Sequence, residues 1–308
     1  MQTIQWEGRK PRILGRGVPH CLKELDVYSL NILVGCPFEC DYCKYQARGF
    51  TPPNVSRAYR EAPTQLADEL RMFKRKSRTL RMVLFNTACD VFVGDHNLEA
   101  LARECIRVLQ NHKIYFSLAT KGLPSTETLE LLAQAPHDCH LLWTVAATDD
   151  AFSEAFEPRV PSTTDRMERI AEATALGLTV RGRIEPLIPM ENDDARQVEA
   201  LLRRFKRAGV TEIVAGYVQM TPELVVRVGE RLPRGRRNML LHWFVDNRGQ
   251  TRGFIDPNYR KRRYEEFKKL AEGLGMHLVV CACRNTDLFA GRCHSVPRSN
   301  SLAKTLLL

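Results

Sequence analysis

The sequence predicts an α/β protein with a partial (β/α)6 barrel of the TIM type, followed by a C-terminal α/β extension. Three observations lead to this fold class: short apolar runs alternate with amphipathic helices, the alternation repeats six times, and the connections are short. The apolar runs are hydrophobic on both faces, as are the strands of a parallel sheet covered by helices. Because a closed barrel of this type has about eight units, an open barrel is expected.

Each unit can be placed on the sequence. Strands are predicted at residues 28–35, 81–86, 113–120, 140–147, 178–188 and 210–218. The helices that follow the first five strands are predicted at residues 64–76, 97–111, 124–135, 162–177 and 193–209. The last two end at Gly177 and Gly209, and glycine is the residue that most readily adopts the left-handed conformation beyond a helix end.

The chain is predicted to have three parts. Residues 1–27 form a polar lead-in, residues 28–218 form the barrel, and residues 219–308 form the extension. Within the extension we predict a strand at 239–246, a helix at 259–275 and a strand at 277–283. This last strand runs into a group of cysteines.

Composition and charge limit the class of protein. Of the 308 residues 44% are hydrophobic, and no run approaches the ~18 apolar residues that a membrane span requires. The first residues lack the apolar core of a secretion signal, so a cytoplasmic location is expected. The net charge of +10 permits a nucleic-acid partner, although solvated basic helix faces explain it equally well.

The ten cysteines are too sparse for a disulfide scaffold, and six of them form two groups. Cys36, Cys40 and Cys43 follow the first predicted strand, so they belong to a loop at the carboxyl edge of the sheet, where barrel enzymes carry their chemistry. Soft thiolates select iron–sulfur clusters, zinc or copper(I). Three cysteines without an adjacent histidine favour a cubane cluster with one open iron over a structural zinc site.

This Cys-x3-Cys-x2-Cys motif, with Tyr42 before its last cysteine, resembles that of the radical S-adenosylmethionine (SAM) superfamily. The stretches VLFNTACDVF, LATKG, FEPRVPSTTDRMERI and EPLIPMEND resemble its spore photoproduct lyase-like branch, which includes DNA-repair lyases. The resemblance implies a [4Fe–4S] cluster on the three cysteines, SAM on the open iron and a low-potential electron donor. It also implies cleavage of SAM to a 5′-deoxyadenosyl radical that abstracts hydrogen.

The resemblance further implies roles for individual residues. Cys89 stands near the cysteine that, in the lesion-repairing lyases, returns a hydrogen atom to the product radical, although packing is the ordinary role of a free cysteine. Many members of the superfamily have Gly-Gly-Glu where this chain has residues 86–90, which is a departure from the pattern. Candidates for the rest of the pocket wall are Asp90, Asp95, His96 and Glu157. The residues predicted to contact SAM are Tyr42, Asn86, Thr87, Thr120, Lys121, Pro186, Ile188 and Asn192.

A second group of cysteines lies near the C-terminus. Cys281 and Cys283 share a face of a predicted strand, and Cys293 returns after a glycine-containing loop. This pattern predicts an auxiliary iron–sulfur cluster or a zinc site, with His294, Cys21 or substrate as the fourth ligand. The alternative is a buried strand end whose thiols bind nothing.

Three functions are consistent with the sequence. The leading hypothesis is a radical SAM enzyme that abstracts hydrogen from a bulky substrate, namely a lesion or modified base in DNA or RNA. The first alternative is a radical SAM enzyme that modifies a peptide or small metabolite and uses an auxiliary cluster. The second is a non-enzymatic, zinc-stabilised nucleic-acid-binding protein.

Overall fold

The computed structural model describes residues 3–19, 22, 25–47, 55–148, 150–245, 253–282 and 285–288. Its strands are β1 (Thr3–Glu7), β2 (Leu14–Gly15), β3 (Val27–Leu30), β4 (Leu33–Val34), β5 (Val55–Tyr59), β6 (Met82–Phe85), β7 (Phe116–Thr120), β8 (Cys139–Thr144), β9 (Val180–Leu187), β10 (Glu212–Tyr217) and β11 (His277–Val280). Its helices are α1 (Lys44–Ala47), α2 (Ala62–Arg75), α3 (His96–Asn111), α4 (Thr126–Ala133), α5 (Asp150–Phe156), α6 (Thr163–Ala175), α7 (Ala195–Arg207), α8 (Pro222–Glu230), α9 (Arg234–Phe244) and α10 (Pro257–Gly273).

The centre of the molecule is an eight-stranded sheet in the order β11-β10-β9-β8-β7-β6-β3-β2. From β3 to β11 each strand pairs in parallel with its neighbour, whereas β2 pairs antiparallel with β3 at one edge. Consecutive parallel strands are joined by helices, as right-handed crossovers require. The predicted partial barrel is confirmed, since all six of its predicted strands are present in this sheet.

The strands are buried on both faces, which explains their continuous apolar runs. Every residue of β6 and of β8 is buried, and Trp143 at the end of β8 has no exposed surface. Helices supply the cover on the outer face, and most begin at a polar cap. Asp95 accepts a hydrogen bond from the Leu98 amide at the start of α3, and Asp194 accepts from two amides at the start of α7. These caps fix where the loops at the carboxyl edge end.

The extension differs in part from its prediction. The predicted strand at 239–246 is wrong, because residues 234–244 form helix α9. Leu240 and Phe244 are its buried residues, and their spacing of four places both on one helical face, which a run of apolar residues alone does not reveal. The predicted strand at 277–283 is present over residues 277–280 as β11, and it extends the sheet beside β10. The domain boundary at residue 218 stays a prediction.

A second, smaller sheet has the order β1-β5-β4. Its strand β4 leads into the loop that carries Cys36, Cys40 and Cys43, which we call the cysteine loop. Strand β4 ends at Val34, directly before Gly35 and Cys36. No helix in the described part of the chain is both long and apolar enough to serve as a membrane span.

Candidate active site

The three motif cysteines line one pocket at the carboxyl edge of the parallel strands. Residues 86–90 after β6, residues 119–121 at the end of β7, and Thr144 at the end of β8 line the same pocket. Two charged side chains of β9, Arg183 and Glu185, line it as well. Residues at or near the carboxyl ends of β6, β7, β8 and β9 therefore meet around the thiols, as the barrel fold requires.

The cysteine thiols are free and well enclosed. Cys40 is buried, and Cys36 and Cys43 are half-buried. Burial raises the pKa of Cys36 and of Cys40. Thiolates in this pocket therefore require a bound metal, whose positive charge replaces the lost hydration. Among the described residues no three ligating side chains converge on the position of a single ion. A cluster spreads its thiolate ligands over several irons and has no need of such a point.

Glu157 joins the cysteine loop to the barrel. One carboxylate oxygen, Oε1, accepts a hydrogen bond from the Tyr42 hydroxyl and lies 2.7 Å from Lys121 Nζ. The other, Oε2, lies 3.1 Å from Nη2 of Arg166, which is fully buried. Burial alone would raise the pKa of Glu157, but Lys121 and Arg166 outweigh it and bring the pKa to about 2. The carboxylate is therefore charged at neutral pH and holds Tyr42 beside the cysteines.

Asp90 fixes the loops after β6 and β7 against one another. Its carboxylate accepts hydrogen bonds from the Phe92 amide at 3.0 Å, the Thr120 hydroxyl at 3.0 Å and the Lys121 amide at 2.7 Å. The two loops approach so closely that a Cβ on Gly122 would lie 1.9 Å from the Phe92 carbonyl oxygen. Glycine is thus required at this position to keep Thr120 and Lys121 at the pocket.

Cys89 is held as a thiol at the inner end of the pocket. Its Sγ donates to the Leu33 carbonyl oxygen at 2.9 Å and lies 3.8 Å from Oδ1 of Asn31. Asn31 in turn donates to the Thr87 hydroxyl at 2.9 Å and accepts from the Ala88 amide at 3.0 Å. Burial, together with the charge of Asp90, raises the pKa of Cys89 to about 12. The side chain is therefore protonated at neutral pH.

Asn86 lines the pocket and carries a buried side-chain amide. Its backbone has a φ of 65°, and neither atom of its buried side-chain amide has a hydrogen-bond partner among the residues that the structure describes. A buried polar atom without a hydrogen bond lowers the stability of the fold. Because both a donor and an acceptor of Asn86 lack partners, they indicate a bound group with polar atoms of its own.

Comparison with protein families identifies the superfamily to which the chain belongs. The Radical SAM superfamily matches residues 30–202, which include the cysteine loop and the barrel as far as α7. The chain belongs to the radical SAM superfamily. Membership of this superfamily implies a [4Fe–4S] cluster and SAM as cofactors.

Two curated relatives are similar along much of this radical SAM chain. It is 24% identical over 261 residues to a radical SAM Nalpha-GlyT isomerase of Pseudomonas phage M6, with 80% of this chain and 51% of the relative covered. It is 22% identical over 204 residues to the uncharacterized protein ORF301 of Acidianus two-tailed virus, with 62% and 67% covered. The chain thus spans about half the length of the phage relative.

Solved structures show the same fold. Spore photoproduct lyase complexed with dinucleoside spore photoproduct superposes with a TM-score of 0.67 at 14% identity, covering 90% of this chain and 82% of that chain. SuiB of Streptococcus suis bound to S-adenosylmethionine superposes with a TM-score of 0.55 at 11% identity, covering 85% and 53%. The resemblance to the superfamily is confirmed, and the fold is that of spore photoproduct lyase, as the predicted branch implies.

Most of the residues predicted for the radical SAM site line one pocket. Five do not, namely Asp95, His96, Glu157, Ile188 and Asn192. Ile188 and Asn192 are buried away from the pocket wall, and the Asn192 amide is occupied by the carbonyl oxygens of Ala146 and Pro186 and the amide of Ile188. Asp95 caps α3 and lies outside the wall, as does His96. The predicted residues that line the pocket are Cys36, Cys40, Tyr42, Cys43, Asn86, Thr87, Cys89, Asp90, Thr120, Lys121 and Pro186.

The second predicted metal site stays a prediction. Cys281 is half-buried directly after β11, and its carbonyl oxygen accepts a hydrogen bond from Asn285. Its predicted partners Cys283 and Cys293, like His294 and Cys21, lie outside the described residues.

Three residues that contribute to the site, Arg183, Glu185 and Asn31, were not predicted from the sequence. Arg183 and Glu185 were not singled out, although charged residues two apart in a strand share one face and indicate that this face is polar. Asn31 carries no such signal, since its contacts are with residues 56 to 58 positions later in the chain.

Proposed function

We propose that the protein is a radical SAM enzyme that holds a [4Fe–4S] cluster on Cys36, Cys40 and Cys43 and acts on a lesion or modified base in a nucleic acid. The observation that carries this proposal is the meeting of the three motif cysteines with residues 86–90 and 119–121 around one pocket. The donor set fits the cluster, because it consists of three free thiols with no histidine or carboxylate among the motif ligands.

When bound, the cluster and SAM supply a 5′-deoxyadenosyl radical that removes a hydrogen atom from substrate. The chain's own residues prepare the pocket for that chemistry. The amide of Asn86 offers an unpaired donor and an unpaired acceptor to the polar groups of SAM. The backbone fixed by Asp90 keeps Thr120 at the same wall, and Tyr42 is held by Glu157. We assign these side chains to positioning of SAM, together with Thr87, Lys121 and Pro186.

We assign Cys89 to return of a hydrogen atom to the substrate radical. In this step the S–H bond breaks, a C–H bond forms on the product, and the unpaired electron passes to sulfur. The step requires a thiol rather than a thiolate, and the raised pKa of Cys89 keeps it in that form. The hydrogen bond to the Leu33 carbonyl oxygen fixes the direction of the S–H bond until substrate arrives.

A nucleic-acid substrate is supported by two observations. The net charge of +10 favours a polyanion, and the fold is shared with a lyase whose solved structure contains a dinucleoside spore photoproduct. A base within a duplex would be extruded to reach the pocket, which costs a few kcal/mol and is easiest at damaged or mismatched sites. Lys44 and Tyr45 also line the pocket, a cation and an aromatic ring suited to phosphate and base.

The deciding experiment measures release of 5′-deoxyadenosine under anaerobic reducing conditions. The parent and the variants Cys36→Ala, Cys40→Ala and Cys43→Ala are reconstituted with iron and sulfide and incubated with SAM. We expect the parent to release 5′-deoxyadenosine and the variants to release none above background. Equal yields from all four proteins would exclude the cluster assignment.

The substrate class is tested by adding oligonucleotide, peptide and small-metabolite pools to the parent. We expect oligonucleotides to accelerate release and to bind with an affinity that falls as salt rises, because phosphate contacts release counterions. Acceleration by peptides or metabolites alone, with no oligonucleotide binding at low salt, would reject the nucleic-acid substrate. A colourless protein that binds zinc and nucleic acid would reject the enzyme.

A further inference from the structure

A second cavity lies beside helix α5. It is lined by Phe152, Phe156, Met190, Arg231 and Arg236, among others, and within the described chain it shares no lining residue with the active-site pocket. The ring of Tyr42, which lines the active-site pocket, lies 6.5 Å from the ring of Phe152, which lines the second cavity. The second cavity therefore lies near the cysteine loop through α5, although no described residue of that loop lines it.

The back of the cysteine loop, meaning its residues that do not line the active-site pocket, is tied to the end of helix α8 by polar contacts. Nε of Arg231 donates to the buried Asp41 carboxylate at 2.8 Å, and Nη2 of Arg227 donates to the side chain of Gln46 at 2.9 Å. Asp41 is the residue directly after Cys40. The end of α8 is thus connected through Arg231 and Asp41 to Cys40, a predicted cluster ligand.

The surface of α8 and α9 is strongly basic. We call it the basic face and define it by five arginines, of which three pair with acids: Arg227 and Arg231 with Asp41, and Arg236 with Glu191. Arg234 and Arg237 are exposed, and no ion-pair partner for either occurs in the part of the chain that the structure describes. Glu230 is the single acidic residue among positions 226–239. The five arginines are Arg227, Arg231, Arg234, Arg236 and Arg237.

Apolar side chains are exposed on the same elements and at the cavity. Val226 is 51% exposed on α8, Met239 is 43% exposed on α9, and Met190 at the second cavity is 47% exposed. Arginine and methionine are enriched in protein–protein interfaces, whereas nucleic-acid interfaces are more polar. The composition therefore favours a protein partner with an acidic surface over a nucleic acid.

We propose that the basic face docks a small acidic electron-carrier protein of low reduction potential. This inference rests on the proposed function, because a cluster that cleaves SAM must first be reduced. One electron leaves the carrier, which is oxidised by one unit, and is delivered at the back of the cysteine loop. Docking there leaves the active-site pocket free for SAM and substrate, so reduction and substrate binding do not compete for one surface.

The test uses the reconstituted holoenzyme, an acidic flavodoxin in its fully reduced form as the probe carrier, and dithionite as a reductant that needs no docking. In the double variant Arg234→Glu/Arg237→Glu we expect flavodoxin-driven release of 5′-deoxyadenosine to fall by about tenfold at low salt, since charges at an interface steer association. Dithionite-driven release should stay within about twofold of the parent. The dissociation constant for flavodoxin, measured by calorimetry, should rise by about tenfold.

The control variant is Arg75→Glu/Lys76→Glu, which changes the charge by the same amount at exposed positions. These lie at the end of α2, which leads to the start of β6 and therefore to the opposite edge of the sheet. We expect it to behave as the parent with both reductants. Equal losses in the two variants, an equal loss with dithionite, or loss of oligonucleotide binding with flavodoxin binding intact would each overturn the proposal.

The two proposals can fail separately. If neither reductant yields 5′-deoxyadenosine, the proposed function fails. The docking surface would still be supported if flavodoxin binds in a salt-sensitive manner. This binding must be lost in Arg234→Glu/Arg237→Glu and kept in Arg75→Glu/Lys76→Glu.

Discussion

Cys89 differs from the buried thiols outside the cysteine motif because it lines the active-site pocket and its S–H bond is directed by a backbone carbonyl. We expect Cys89→Ala to retain substrate-dependent cleavage of SAM but to lower the yield of hydrogen-returned product by about 10²-fold, the scale for loss of one catalytic group. When the reaction is run in D₂O, mass spectrometry should find deuterium from the exchanged thiol in the parent's product.

The matched control is Cys105→Ala. Cys105 is fully buried in α3 and lies outside the pocket wall. This variant should give the parent's product with the parent's deuterium content. Formation of the same deuterated product by Cys89→Ala would show that another group returns the hydrogen.

Short motifs predicted the pocket residues well after β6 and β7 and less well after β9, where Ile188 follows the strand directly but does not line the pocket. Asn86, Thr120 and Lys121 lie within one residue of a strand end, so the sheet edge alone places them. Ile188 and Asn192 belong to a turn in which the Asn192 side chain accepts a hydrogen bond from the Ile188 amide. Neither residue lines the pocket. The placement of this turn depends on contacts with Ala146 in the neighbouring unit, which a linear pattern does not contain.

Helix α6 contributes one buried side chain that connects four parts of the site. Arg166 donates to the Thr144 carbonyl oxygen at the end of β8 at 3.0 Å and to the Ser153 hydroxyl on α5 at 3.2 Å, and it pairs with Glu157. Replacing Arg166 by Met should lower the free energy of unfolding by about 3–5 kcal/mol, because a buried carboxylate loses one of its two cationic partners. Urea denaturation followed by circular dichroism measures the loss.

A double-mutant cycle separates the charge effect from lost packing. The variant Arg166→Met/Glu157→Gln should be more stable than Arg166→Met alone, since it no longer buries a carboxylate that has only Lys121 as a cationic partner. Arg169→Met on the same helix is the control. It removes a partly exposed pair with Glu172 and should cost less than about 1 kcal/mol. If Arg166→Met and Arg169→Met cost the same, Arg166 does not hold the elements together through Glu157.

At the level of elements the barrel was predictable and the flanking parts were not. Strands buried on both faces, such as β6 and β8, give uniform apolar runs, and polar residues such as Asp95 mark where helices begin. The small sheet of β1, β5 and β4 has no such signal. It joins residues 3–7 to residues 55–59 in parallel, and this pairing depends on contacts across about fifty positions of the chain.

In the whole molecule, the cysteine loop is the point where the barrel, α5 and α8 are connected. Glu157 binds Tyr42, the Asp41 amide donates to the Phe156 carbonyl oxygen at 3.0 Å, and Arg231 binds the Asp41 carboxylate. A cluster on the three thiols binds only the folded loop, so it stabilises all of these contacts through mass action. We expect oxidation and chelation of the reconstituted parent to lower its melting temperature by at least about 5 °C.

Two variants test whether this change comes from the motif thiols. Cys36→Ala, treated identically, should melt at the temperature of the chelated parent both before and after treatment, because it cannot complete the ligand set. Cys105→Ala keeps all three motif thiols and should show the parent's full decrease. A parent whose melting temperature does not respond to removal of iron would mean that the loop is ordered without a cluster, through Glu157 and Arg231 alone. The contacts that tie α8 to the barrel would then be independent of the cofactor.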